Sequence, residues 1–522
     1  MKTNSKKVGL FIPLLCICLL LFLPLALAAE EPKDTKTITI LTVNDFHGTM
    51  IEAGKNPGAA KLVGYLKAET AKNPSGTILL SAGDMFQGSP DSNMLYGKPV
   101  VAVMNEAGFA AMALGNHEFD WGIQVLTERI NQADFPFVAA NVVDRTTGNP
   151  VSFAKPYTFL EKNGLKIAII GLTTPETAYK TNPAYSKNFI FCDPAKTVKE
   201  LVPLLKQQGT DIIVVLSHMG SEVDAANEVK GEAADLAWNT DGVDAIVSGH
   251  THVRVAGIVN SVPIVQAAYN GRAVGKIVLN FSESANKVIA AEASVVDLAA
   301  KDLVADATVQ DITLKAQAEV APIKNIMIGH TSHELSHNKA SVSVLGQWVT
   351  DVMRRSMNTD IAFQNGGGLR TSIPAGNITI GNLYEVVPFD NTLVTLDLTG
   401  KQIKEILEYG IYNNQIGMLQ FSGLSVQYDK SQPAGARIVK VSLQDGRKLD
   451  FNKTYKVVTN DFLAQGGDGF TMLTQGKHIN DRQILLRNLL IDAIKAAGKI
   501  NIVTDKRFME IKPAGNMEKP AA

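Results

Sequence analysis

Five short polar motifs in the first half of the chain each stand directly behind a run of apolar residues. Asp45-Phe46-His47 follows 38–43, and Gly83-Asp84 follows 77–80. Gly115-Asn116-His117-Glu118-Phe119-Asp120 follows 110–114. Ser217-His218 follows 212–216, and Gly249-His250-Thr251-His252 follows 245–247. Apolar runs of this length read as buried strands. Helical patterns fall between them at 59–71, with Leu62, Tyr65 and Leu66 on one side, and at 121–133 and 194–207. Strands alternating with helices require an α/β core with at least partly parallel sheets. In such sheets, side chains at the carboxyl ends of strands gather at one edge. Five strand ends therefore deliver Asp, His, Asn, His and His to one place.

The rest of the chain extends this organisation. A strand is predicted at 135–140, and a hairpin at 158–172 turning at Asn163-Gly164. Residues 264–297 read as several alternating strands with no long helix between them. A helix-compatible stretch at 304–323, polar on one side, links to a second α/β unit that begins near Ile328. That unit has predicted helices at 345–357, 401–412 and 484–496 and strands at 393–398 and 455–459. At roughly 150 residues per domain, 522 residues suggest two or three domains, and the pattern favours two. The expected division is a leader over 1–28, a first domain over 36–305, a linking helix over 306–327, a second domain over 328–512 and a flexible tail over 513–522. No internal repeat is evident.

The opening residues read as a secretory signal. Lys2, Lys6 and Lys7 precede an apolar stretch over 8–27, which ends in Ala26-Leu27-Ala28, a small-x-small cleavage site. The length of the apolar run leaves an uncleaved anchor as the alternative. Pro13 and Pro24 interrupt the run and favour cleavage. Losing three lysines and no acidic residue moves the net charge from −1 to −4. It also removes Cys16 and Cys18 and leaves Cys192, which alone forms no internal disulfide. The expected location is periplasmic, cell-surface or extracellular, with no stable membrane insertion after cleavage. With 50 Lys+Arg against 51 Asp+Glu, the chain has no electrostatic footprint for a nucleic-acid polymer.

Each motif has an ordinary reading when taken alone. Asp45-x-His47 and Gly83-Asp84 are typical of turns, and His218 suits a satisfied buried histidine. Together, in this order and each behind a strand, they point to metal. Carboxylate, imidazole and amide ligands suit hard-to-borderline divalent ions, and seven such side chains with one shared carboxylate suffice for two. Two ions clamp a phosphoryl group and activate a water at neutral pH. Five of the nine histidines fall in these motifs. A further cluster, His330, His333 and His337, has a spacing that crosses a predicted strand and loop, and it is not read as a metal site.

The ordered motifs D-x-H, G-D, G-N-H-E, H and G-H-T-H resemble those of the calcineurin-like metallophosphoesterases over residues 38–252. With the second half included, the chain resembles the secreted 5′-nucleotidase family, which also holds UDP-sugar hydrolases and 2′,3′-cyclic nucleotide phosphodiesterases. The resemblance implies a four-layer αββα metallophosphoesterase domain followed by an α/β nucleotide-binding domain. It implies two divalent ions, Zn, Mn or Co, the first taking Asp45, His47 and His252 and the second Asn116, His218 and His250, with Asp84 bridging. It places His117 beside the scissile phosphate, oriented by Asp120. The dyad has its own rationale, because an imidazole needs a carboxylate partner to stay oriented and cationic near a developing oxyanion. The alternative role for Asp120 is an N-cap on the following helix. The implied activity is phosphate removal from nucleoside 5′-monophosphates by attack of metal-bound hydroxide on phosphorus.

Two stretches of the second half read as substrate contacts. In Asn365-Gly366-Gly367-Gly368-Leu369-Arg370, glycines admit an anion to backbone N–H groups and Arg370 forks onto phosphate oxygens. A tight turn explains the glycines equally well. In Phe462-Leu463-Ala464-Gln465-Gly466-Gly467-Asp468-Gly469, Phe462 offers a face for a base and Asp468 an acceptor for ribose hydroxyls. A core Phe462 and a turn Asp468 are the alternatives. Two features depart from the family pattern. Met418, with Phe421 three residues on, stands where a second base-stacking aromatic is usual. Lys339 is the only cation where an arginine is usual, and it lacks the bidentate fork. A cyclic-nucleotide phosphodiesterase, a UDP-sugar hydrolase and a hydrolase of carrier-bound sulfur groups share this outline, and a non-enzymatic surface binder is a further alternative.

Overall fold

The computed structural model describes residues 34–298, 303–413, 416–502 and 505–511, so the leader and the tail lie outside the described residues. Side-chain alternation along the strands sets the layering of the first half. In the Thr35–Val43 strand, Ile38 and Ile40 face one hydrophobic cluster while Leu41 and Val43 face another. Ile78 and Leu80 split from Leu79 in the same way. In the second sheet, Ile167, Ile169, Ile212 and Val214 join the first of these clusters. Ala168, Ile170, Ile213 and Val215 turn towards a third. Strands buried on both faces must lie between layers. The result is two six-stranded sheets face to face with helices outside each.

The first sheet runs Lys287–Asp297, Ala273–Ser282, Thr35–Val43, Thr77–Ser81, Ala111–Ala113, Phe137–Val138. The last four strands are parallel. The second runs Arg254–Val259, Val262–Ala267, Ala245–Val247, Ile212–His218, Leu165–Thr173, Tyr157–Lys162. Its inner four are parallel. Helices Gly58–Thr70, Lys98–Ala107 and Gly122–Gln132 cover the first sheet, and Pro194–Gln207 and Glu232–Asn239 cover the second. Asp193 caps the Pro194 helix by accepting from Lys196 N–H.

In the second half, a five-stranded sheet runs Gln420–Ser422, Ile361–Gln364, Thr454–Asn460, Thr392–Thr399, Lys477–Leu485. One face packs Phe363, Leu398 and Val457 against the Gly400–Gly410 helix. The other packs Ala362, Leu393 and Val458 against Val344–Ser356 and Leu486–Ala497. The linking helix, Ala307–Lys324, lies on the first half. Its Val309 joins the outer core there, and Asp306, its N-cap, pairs with Lys67 at 2.7 Å.

Sequence reading missed the Lys98–Ala107 helix and the Lys477–Leu485 edge strand, whose residues are exposed apart from Leu485 and show no alternation. The strand expected at 135–140 contracts to Phe137–Val138.

The two sheets pinch together near the site. A Cβ added at Gly171 would lie 2.2 Å from the carbonyl carbon of Val138 in the opposite sheet. The Gly171 carbonyl accepts from Ala140 N–H at 2.7 Å. Only glycine allows that approach. Gly171→Ala should lower stability by about 1–3 kcal/mol, read as an earlier midpoint in urea.

Candidate active site

Both sheets present the carboxyl ends of their parallel strands at the same edge, and the five motifs meet there. Asp45, His47, Asp84, His250 and His252 all sit at positive φ, between 49° and 76°. This region is costly for non-glycine residues and is held only where the surroundings enforce it. The turn at Gly115 is equally constrained, since a Cβ there would lie 2.2 Å from Asp84 Oδ1.

Two donor groups result. In the first, His252 Nε2 lies 3.2 Å from Asp45 Oδ1 and 3.0 Å from His47 Nε2. His47 Nδ1–H donates to the Gln87 carbonyl at 2.8 Å, so its Nε2 carries the lone pair. In the second, His218 Nδ1–H donates to the Ala82 carbonyl at 2.7 Å, and its Nε2 lies 3.1 Å from Asp84 Oδ2 and 3.2 Å from Asn116 Oδ1. His250 turns the other way: its Nε2 meets Glu176 Oε2 at 3.0 Å and its Nδ1 faces Asn116 Oδ1 at 3.0 Å. All seven expected ligands are thus in the two groups. Among the described residues, His330, His333 and His337 form no such group.

The electrostatics favour cations here. Burial opposes charge on Asp45, yet the neighbouring His252 outweighs it and holds the carboxyl at about 2. Burial likewise opposes charge on His218, but Asp84 beside it lifts the imidazole to about 10. Burial and the nearby His252 keep His47 well below its usual range, hence neutral.

His117 stands beside these groups. Its Nδ1–H donates to Asp120 Oδ2 at 2.6 Å, and its backbone N–H to Asp84 Oδ1 at 2.9 Å. Burial would lower its pKa, but Asp120 and then Asp84 prevail and raise it. Asp120 does not cap the following helix, whose N-cap is Trp121 with no side-chain bond. Its other oxygen accepts from Thr181 Oγ1 at 2.8 Å. Phe389, from the second half, stacks on the His117 ring at 5.6 Å.

A cavity of about 920 Å³ extends from these residues and is lined from both halves, including Arg370, Lys339, Asn365, Met418, Phe462 and Asp468. Phe462 is half-buried at its wall, packed on the core behind it. Asp468 is buried, at positive φ, and accepts from Asn365 Nδ2 at 3.1 Å. Asn365 Oδ1 accepts from Asn460 in turn, so this amide is a brace for Asp468. Lys339 is depressed to about 8, first by the charge of Arg370. The glycines divide: added Cβ atoms at Gly366 and Gly368 would come within 2.5 Å of Met418 O and Gln364 Nε2, whereas Gly367 has room. Close packing against neighbouring groups therefore accounts for two of the three.

Phe421 is a correction. It is fully buried on the Gln420–Ser422 strand, edge-on to Phe508, and does not line the cavity, so it belongs to the core. Met418 is also largely buried but reaches the wall.

Three acidic or hydroxyl contacts went unassigned from sequence. Glu118 accepts from the N–H groups of Asp84, Met85 and Gly115 at 2.8–2.9 Å, clamping two ligand turns together. Glu176 and Thr181 come from the segment behind the Leu165–Thr173 strand, a sixth strand end at the same edge. Its run Thr173-Thr174-Pro175-Glu176 was the available signal.

Comparison with known proteins agrees with this geometry. The profile described as calcineurin-like phosphoesterase matches residues 38–254, and that described as 5′-nucleotidase, C-terminal domain, matches 300–475. Protein UshA of Escherichia coli K12 is 30% identical over 503 residues, covering 86% of this chain and 88% of that protein. Endonuclease YhcR of Bacillus subtilis 168 is 31% identical over 469 residues, which are 83% of this chain and 37% of that protein. The chain thus spans little more than a third of that relative. The crystal structure of a 5′-nucleotidase precursor from Thermus thermophilus matches with a TM-score of 0.80 at 32% identity, covering 92% of this chain and 100% of that one.

The Asp120 contact makes a prediction that needs no substrate. Asp120→Asn should lower the His117 pKa, read by NMR titration of the imidazole in protein stripped of divalent ions. An unchanged value would sink the assignment of the dyad.

Proposed function

The chain belongs to the 5′-nucleotidase family of calcineurin-like phosphoesterases, and on that premise we propose that it removes phosphate from nucleoside 5′-monophosphates. The observation that carries the proposal is the single cavity. Metal-type donors Asp84, Asn116, His250 and His252 line it together with the cation Arg370, the aromatic Phe462 and the acceptor Asp468.

The donor set fits two divalent ions. The Nε2 atoms of His47 and His252 converge with Asp45 Oδ1, and His218 Nε2 converges with Asp84 Oδ2 and Asn116 Oδ1, which are the donor types a divalent cation takes. Asp45, His47 and His252 would hold one ion, and Asn116, His218 and His250 the other, with Asp84 shared. When bound, such a pair supplies Lewis-acid stabilisation and a nucleophilic water at neutral pH. Mixed Asp, His and Asn ligands suit Zn, Mn or Co.

The chain's own residues do the rest. Arg370 would grip the phosphate, with Lys339 adding a point charge. His117, its pKa raised by Asp120 and Asp84 against the effect of burial, would stabilise charge developing on the phosphoryl oxygens. Phe462 would stack the base, and Asp468, braced by Asn365, would accept from the ribose. Met418 offers a softer wall than an aromatic ring. The proposed division at 36–305, 306–327 and 328–512 is supported by the Ala307–Lys324 helix standing between the sheets of the two halves. Export rests on the leader reading of residues 1–28.

Two experiments test this. Asp84→Ala should abolish AMP hydrolysis; near-wild-type turnover would refute a shared carboxylate. A panel of AMP, cyclic nucleotides, ATP and UDP-glucose, run after chelation and readdition of single metals, should give the highest kcat/KM with AMP. Turnover of the cyclic diester alone would overturn the substrate assignment.

A further inference from the structure

Residues 174–182 supply none of the donors in the two groups, yet they touch the second group, the His117–Asp120 pair and the carboxylate of Asp468. At the start, Thr174 N–H donates to the carbonyl of His218 at 3.0 Å. Glu176 then takes the Nε2 of His250, and the carbonyl of Lys180 accepts from Asn116 Nδ2 at 3.5 Å. Thr181 donates to Asp120, the partner of His117. The same segment reaches the other half of the molecule. Lys180 Nζ lies 3.6 Å from Asp468 Oδ1, and Asn182 Nδ2 donates to Asp461 Oδ2 at 2.6 Å.

We propose that residues 174–182 form a positioning strap that couples nucleoside engagement at Asp468 to the second donor group and the His117–Asp120 pair. The inference rests on the two-metal nucleotide reading above. Its physical basis is the short span. The Thr177–Lys180 helix separates the His250 contact from the Asp468 contact, so a shift at one end is carried to the other. The strap also gives His250 a different partner from the neighbouring histidines. His47 and His218 donate to backbone carbonyls, whereas His250 faces a carboxylate, which fixes the orientation of its ring from outside the donor groups. Coupling between two sites is reciprocal, so a nucleoside without phosphate should alter ion affinity, and variants in the strap should remove that effect.

The test is titration calorimetry of Mn²⁺ binding to the full chain, with and without adenosine. Glu176→Gln should weaken one of the two ions about 10–100-fold, which identifies the ion at the second donor group. In the wild type, adenosine should tighten that ion about fivefold or more. The factor should fall to near one in Asn182→Asp, which keeps the oxygen that caps the next helix but sets a carboxylate against Asp461. It should also fall in Lys180→Met, which leaves that cap intact and decides alone if the first variant fails to fold. Absence of the effect in the wild type, or its persistence in both variants, overturns the strap. A wild-type chain that binds fewer than two ions or no adenosine overturns the functional reading itself, and the strap with it.

Discussion

Asp45 and Asp84 are almost wholly removed from water, and each is set against imidazole nitrogens rather than against lysine or arginine. A buried carboxylate without compensation is prohibitively costly. Asp45 accepts from His250 N–H and Asn44 Nδ2, Asp84 accepts from His117 N–H, and the imidazoles beside them supply the rest of the positive field that keeps both ionised. Much of the first half serves this condition: two sheets aligned so that their parallel strands end together, a pinch at Gly171, a clamp by Glu118 and backbone carbonyls that fix histidine tautomers.

The second half solves a different problem on the same cavity. It lines that cavity with one aromatic face, one braced carboxylate and two cations of unequal kind. Phe389 and the 174–182 segment cross between the halves in opposite directions. Phe389 lies on the ring of His117, and Lys180 reaches Asp468. Neither half alone contains a complete site.

The candidate metal donors were legible because each stands behind a strand that must be buried, and the strand's end fixes where the side chain goes. The layering was legible for the same reason, since period-two alternation records which face meets which layer. Phe421 misled because an aromatic three residues from the aligned position is chemically plausible, and its direction is set by a strand register that composition does not carry. Glu176 and Thr181 stayed hidden because the 158–172 run was read as a hairpin only. Its second strand is also a parallel neighbour of Ile212–His218, which turns its end into part of the site. The Lys477–Leu485 strand was illegible because an exposed edge leaves no apolar pattern.

The left-handed backbone at five of the ligands has a consequence for the molecule's history. Each such residue costs on the order of 1–2 kcal/mol, a burden that glycine would lift at once. A copy of this chain released from its chemical task would gain robustness by discarding these side chains, and drift would run downhill towards a sturdier, inert protein. At these five positions backbone ease and the chemistry of the side chain pull in opposite directions.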